Sequence, residues 1–334
     1  MSQLDTDQIL AQLNDTIQKA VTNSTYTMSP PSRSIYSPEN LDPTIKHVIP
    51  LKAPVRNILP RSKGYGQVAT WRKLTSALSP SLATSPAGTG TRLGFADAGQ
   101  PNQTTQTYVL ATAAYKNIGR DVELGRQALA SNRGGNLDDM RQHEEFVKSV
   151  EVILGEEDII LNGNATLTTT EFDGFATSFT TNSGTAGYVT SSGIGSYART
   201  LFNLGAEMPT HFVANPRQMQ ALADDLQGAG SIQRIVVNDQ GGATGGVNLE
   251  RIVNPVTGNL IQTVASRYSF NWGYLLTVSD ATGQNWLEMS DLEPLSVYDV
   301  PTANHSIVSR VYETTVLKVV AENFQYKVGG LSLT

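Results

Sequence analysis

"NLDDMRQHEEFVKSVEVILGEEDIILNG", Asn136 to Gly163, gathers eight carboxylates around a single histidine. It reads either as a metal or acid–base site or as a long helix with a wet face. On a helical wheel of about 100° per residue, Phe146, Val147, Val150, Ile153, Leu154, Ile160 and Leu161 share one broad arc, with Met140 at its edge. Asn136 is placed to cap, and Asp138 and Asp139 stand in the first turn, where the helix dipole favours anions. Glu144, Glu145, Glu151 and Glu156 point away from the arc and are expected in water. Lys148 is one turn from Glu144, a pairing worth a few tenths of a kcal/mol. The spacing predicts an amphipathic helix over 136–162, about seven turns long.

Glu157 breaks the pattern, because it lands inside the apolar arc between Ile153 and Ile160. A buried, unpaired carboxylate is costly and takes up a proton instead. Either the helix deforms near Gly155 or Glu157 meets a basic partner from another segment. With no second acid or histidine placed beside it on that face, the expectation is a structural ion pair and not a catalytic base.

Outward from this helix, the chain of 334 residues is long enough for two modest domains or one domain with extensions. Hydrophobic residues at 39% against 16% charged argue for a real core and against wholesale disorder. A net charge of −6 disfavours a protein that grips nucleic acid, since that needs a basic stripe. The absence of cysteine excludes disulfides and thiolate metal sites. No apolar run reaches the ~18 residues that would span a bilayer, and "MSQLDTDQ" is wrong for a secretory leader. A soluble protein, made and folded in the cytoplasm, is expected.

Ile9, Leu10, Leu13, Ile17 and Val21 outline a short amphipathic helix with Asp5 or Thr6 as cap. Proline-rich stretches follow up to residue 62 and read as an arm lying along something else, with Val48, Ile49, Leu51, Val55, Ile58 and Leu59 wanting burial. A disordered tail is the alternative for residues 1–35. "YGQVATWRKLTS" and "TQTYVLATAAYKNIGRDVEL" are strand-like, and roughly thirty small and polar residues separate them, an uncommon length for a compact domain. They predict a long projecting hairpin, whose edges need a neighbouring molecule as cover. Beyond the helix, strands predominate, with helices at "GIGSYARTLFNLGAEM" and "RQMQALADDLQG". The second follows a short strand, with Asn215 as N-cap and Pro216 in the first turn. Scattered helices among mostly antiparallel strands predict an α+β fold.

Catalytic and cofactor motifs are missing. There is no G-x-x-x-x-G-K-[ST], no G-x-S-x-G and no S-x-x-K. "GTGTRLG" places its third glycine one residue late for a dinucleotide loop, and "GGATGG" lacks the lysine a phosphate would want. His47, His143, His211 and His305 are scattered, and "HEEF" lacks the second histidine of a zinc helix. No catalytic, cofactor-binding or metal residue is assigned, and no cofactor is expected.

The order of arm, hairpin, long helix and β-rich body resembles the major capsid proteins of tailed bacteriophages with the HK97 fold. "YVLATAAYKNIGRDVELGRQAL" is similar to that family's returning hairpin strand, which then turns into a short helix. "GEEDIILNGNATLTTTEFDGF" resembles the end of its spine helix, and "THFVANPRQMQALADDL" its strand–Asn-Pro–helix unit. The resemblance implies an N-terminal arm over 1–62, a hairpin called the E-loop over 63–115, and a P-domain over 116–171 carrying the spine helix. It also implies an A-domain over 172–300 and a return to the P-domain over 301–334. Only some forty residues precede "LDPTIKHVIPL", where some members carry a scaffolding domain of about a hundred; a separate scaffold protein is then implied, or the short N-terminal helix does part of that work.

What the resemblance implies about function is a shell subunit: pentamers and hexamers of identical copies enclosing double-stranded DNA in a virion, assembled in the host bacterial cytoplasm. Implied partners are other copies, a scaffold, a portal and a decoration protein, with weak or no direct nucleic-acid binding and no membrane. Trp71, Leu93 and Phe95 are the expected apolar anchors on a neighbour, and Arg72, Lys73 and Arg92 the charged contacts; packing within the hairpin is the alternative. Lys63, Lys73 and Lys116 are the lysines located where some members crosslink to a neighbour's asparagine, but no sequence feature marks them as reactive. An encapsulin shell holding enzyme cargo is the alternative within the fold; a phage decoration or adhesion protein, or an enzyme with dispersed acids, are those outside it.

Overall fold

The computed structural model describes residues 52–76, 107–132, 140–204, 209–228, 250–280, 282–302 and 305–333, with Asp97, Gly99 and two-residue strands at 236–237 and 243–244. The expected helix around Ile9 to Val21, the Asn136 cap with Asp138 and Asp139, and Arg92, Leu93 and Phe95 lie outside the described residues.

In chain order the strands are β1 (Arg61–Lys63), β2 (Val68–Ser76), β3 (Thr107–Ala114), β4 (Lys116–Gly125), β5 (Ser183–Thr185), β6 (His211–Ala214) and β7 (Val236–Val237). Then come β8 (Ala243–Thr244), β9 (Arg251–Val253), β10 (Leu260–Ala265), β11 (Gly273–Leu276), β12 (Leu287–Val300), β13 (Ser306–Val319) and β14 (Tyr326–Gly329). One sheet runs β1-β12-β13-β4 and the other β5-β14-β11-β6-β10-β9. β2 and β3 form the predicted hairpin as a two-stranded ribbon of their own, with Trp71 opposite Ala111 and Leu74 opposite Tyr108. β3 and β4 are parted only by Tyr115, where the chain leaves the ribbon and enters the four-stranded sheet.

The long helix spans Met140–Asn162 and packs on β4 and β13. It ends where two glycines meet: the Gly174 amide donates to the Gly163 carbonyl at 2.9 Å. A side chain on Gly174 would drive into the backbone of Ile159, Ile160 and Gly163, so neither branch nor methyl fits there. This contact folds "EFDGF" back beneath the helix and sends Phe175 and Phe179 into the core. Their rings stack at 5.0 Å and both meet Tyr274 edge-on. Ile160, Leu161, Met289 and Val316 complete a core shared by the helix and both sheets. A second core lies where the helices Ser191–Asn203 and Pro216–Gly228 cover the six-stranded sheet through Ile194, Leu201, Phe212, Leu222 and Leu275.

The α+β prediction holds, but the sheets are mixed: β1 with β12, β5 with β14 and β6 with β10 all run parallel. The expected boundary at residue 300 does not match a change of sheet. Residues 287–300 form β12, inside the sheet that carries the long helix, and residues 326–329 form β14, inside the six-stranded sheet. The two long antiparallel strands β12 and β13 pair from Leu287–Val319 to Val300–Val308, so they travel together.

Candidate functional site: a buried carboxylate junction and the root of the hairpin

Pro54–Ile58 is a single helical turn with proline at its start, not the extended arm expected there. Val55 and Leu59 are buried and Ile58 packs against the core, as their apolar character predicts. This turn lies against the long helix and covers a flank that the helical wheel assigned to solvent. As a result Glu156, expected in water, is completely buried. Arg56 Nε and Arg61 Nη2 each donate to one of its carboxylate oxygens. Arg61 also reaches Asp291 of β12 at 3.0 Å, and Thr315 Oγ1 donates to Asp291 at 2.7 Å. Arg56 Nη2 extends to Glu313 of β13 at 3.3 Å. Burial and the adjacent Glu156, partly offset by Arg56, push the Glu313 carboxyl up to about 8.

Glu157 is buried, as predicted, but among the described residues no ion pair holds it. Ser266 Oγ donates to Oε1 at 2.6 Å and the Val55 amide to Oε2 at 3.2 Å. Burial raises its pKa, while these donors and the more distant Arg267 oppose the rise. The expected basic partner exists one residue earlier, on Glu156. The sequence offered one further clue to this junction. Val311, Glu313, Thr315 and Leu317 alternate onto the helix-facing side of β13, so a lone acid sits in a buried register.

The remaining acids of the helix behave as surface groups, although Lys148 pairs with Glu151 at 2.8 Å and not with Glu144. Phe146, placed in the apolar arc, is largely exposed.

At the root of the hairpin, Trp71 is half-buried and packs on the chain's own core. The ammonium groups of Lys73 and Lys318 lie over its ring, 5.7 and 6.0 Å from the centroid. Burial lowers the Lys73 pKa, opposed by Glu322. Lys116 donates to the Thr169 carbonyl and Lys63 sits 5.9 Å over Tyr65. Arg72 is exposed. Tyr115 Oη meets Ser290 Oγ at 3.1 Å, fastening the root to β12. Further out, Tyr108, Val109 and Leu110 form a run of exposed apolar side chains on β3. In the six-stranded sheet, Asn215 Oδ1 accepts from the Arg217 amide at 3.0 Å and Pro216 opens the helix, as the sequence predicts.

No family model and no curated protein sequence matches the chain. Solved structures do match it. The holo-SrpI encapsulin complex of Synechococcus elongatus PCC 7942 aligns with a TM-score of 0.63 at 11% identity, over 89% of this chain and 94% of that one. The capsid of a native GTA particle aligns at 0.59 and 12% identity, over 94% and 99%. The phage G structure of major capsid and decoration proteins aligns at 0.55 and 10% identity, over 91% and 100%. The alignments take in nearly the whole of this chain and of each of those chains: the chain has the HK97 fold of tailed-phage capsid proteins.

Proposed function

We propose that this chain is the structural subunit of an icosahedral bacteriophage capsid, forming pentamers and hexamers around double-stranded DNA. The observation that carries this reading is the two-stranded β2–β3 ribbon, with Tyr108, Val109 and Leu110 exposed in succession. A two-stranded ribbon is marginal in water alone, and exposed apolar strands invite pairing. In a shell of identical copies such a ribbon would have a neighbour to lie on, and the likeness to a capsid subunit over 94% of the chain supports that reading. The contact then falls to Tyr108, Val109, Leu110 and Arg72, continued by Arg92, Leu93 and Phe95, with rim charges setting specificity more than affinity. The chain is a structural protein and not an enzyme. Its net charge of −6 suits a wall that repels packaged phosphates and lets DNA be spooled and released. A separate scaffold, a portal and a decoration protein are the further partners, and the mature protein resides in the virion after assembly in the host cytoplasm.

An encapsulin shell is the second reading, favoured by the TM-score of 0.63 to such a protein. Sedimentation velocity of the purified chain tests assembly: capsomers or shells are expected, and a strict monomer at all concentrations contradicts both readings. The content of expressed particles separates them, since enzyme cargo in place of nucleic acid favours the encapsulin.

A further inference from the structure

The junction beneath Pro54–Lys63 holds three carboxyls and two guanidiniums. Arg56 and Arg61 balance two negative charges, and Glu156 and Asp291 take the closer contacts. Glu313 is left over. Its side chain is 1% exposed, its Oε2 has only the 3.3 Å contact to Arg56, and its Oε1 has no hydrogen-bond donor among the described residues. The side chain lying against it is Glu156, which as a carboxylate offers lone pairs and no hydrogen. An anion so placed would be both uncompensated and underbonded, and buried groups avoid this by taking up a proton.

We propose that Glu313 carries a proton directed at Glu156, and that this proton latches the Pro54–Lys63 segment to the long helix and the four-stranded sheet. With the proton in place, the cluster is neutral, and Glu313 becomes a donor to its neighbour. Without it, two buried anions face each other and compete for Arg56. The charged groups acting on Glu313 are Glu156 from the helix, Arg56 from the proline turn and Arg61 from β1, and Asp291 of β12 is tied to Arg61. The cross-strand neighbour of Glu313 on β4 is the apolar Ile118. Glu157 turns instead to Val55 and Ser266.

The folded-state value for Glu313, about 8, is above the ordinary glutamate value of 4.5. Its native state therefore keeps a proton that the unfolded chain loses. The stabilisation is complete below the unfolded value and is lost as pH rises through about 8. Alkali, not acid, opens this latch, and it opens first at the segment that leads out of residues 1–51. The latch belongs to the single chain, whether or not copies assemble.

Backbone hydrogen exchange on the full-length protein, corrected for intrinsic rates and run from about pH 6 to about pH 9.5, reads the latch directly. Protection of the Val55–Lys63 amides is expected to fall about tenfold or more between about pH 6 and about pH 8 and to level off above that. Protection of His211–Ala214 stays level. The Glu313→Gln variant, neutral at every pH, should show no such fall. An infrared titration covers the case in which that variant does not fold. In a Glu157→Gln background, a protonated-carboxyl stretch should vanish as pH passes about 8. Constant protection in the wild type, an equal fall in Glu313→Gln, a uniform fall over the whole chain, or no titrating carboxyl band would each overturn the proposal.

Discussion

Glu156 and Glu157 are adjacent in sequence and buried for different reasons. Glu156 is the shared acceptor of two arginines, whereas Glu157 is an acceptor for a backbone amide and a serine. Removing Glu156 takes the close acceptor away from both guanidiniums, Arg56 and Arg61. Glu156→Ala should therefore cost about 3–5 kcal/mol in chemical denaturation. Glu157→Ala strands neutral donors only and should cost about 1–3 kcal/mol, with Glu157→Gln recovering part of it through its carbonyl oxygen. Equal losses for the two alanine variants would contradict these separate roles. Trp71→Ala should lower the stability of the isolated chain by about 2–3 kcal/mol, less than for a fully buried tryptophan. An unchanged melting temperature with failed assembly would return Trp71 to the role of a neighbour's anchor.

At the scale of elements, the sequence made the long helix, the hairpin strands and the strand–Asn215–Pro216–helix unit legible. Each rests on local periodicity or capping that needs no knowledge of distant partners. The identity of the buried acids was not legible in the same way. The wheel assumed one covered face, but the second half of the helix is covered on more than one side, and one cover is the five-residue turn Pro54–Ile58. That turn is too short to announce itself by periodicity, and it brings in the guanidinium that makes burial of Glu156 tolerable. Glu313 was a readable exception within an alternating strand, but its partners lie 257 residues upstream at Arg56. Gly155 and Gly174 give an opposed pair of tests. A side chain on Gly155 meets open space, so Gly155→Ala should stabilise the helix by about 0.5–1 kcal/mol. Gly174→Ala should destabilise, because its methyl would press on helix backbone. Thermal melts of the two variants moving in the same direction would contradict that packing.

At the scale of the whole molecule, the described residues complete their cores among themselves and leave Tyr108, Val109 and Leu110 of the hairpin exposed. On the proposed shell reading, the folded body and the assembly surface are thus separable by mutation. Leu110 is largely exposed, so Leu110→Glu should change monomer stability by no more than about 0.5 kcal/mol. The same change should prevent association, because a charge would enter an apolar contact. Cryo-electron microscopy of the purified full-length protein addresses the central claim most directly. The shell account predicts closed icosahedral particles or capsomers in which the β2–β3 ribbon of one copy lies on its neighbour. Monodisperse monomers, or particles in which that ribbon touches no second copy, would contradict it.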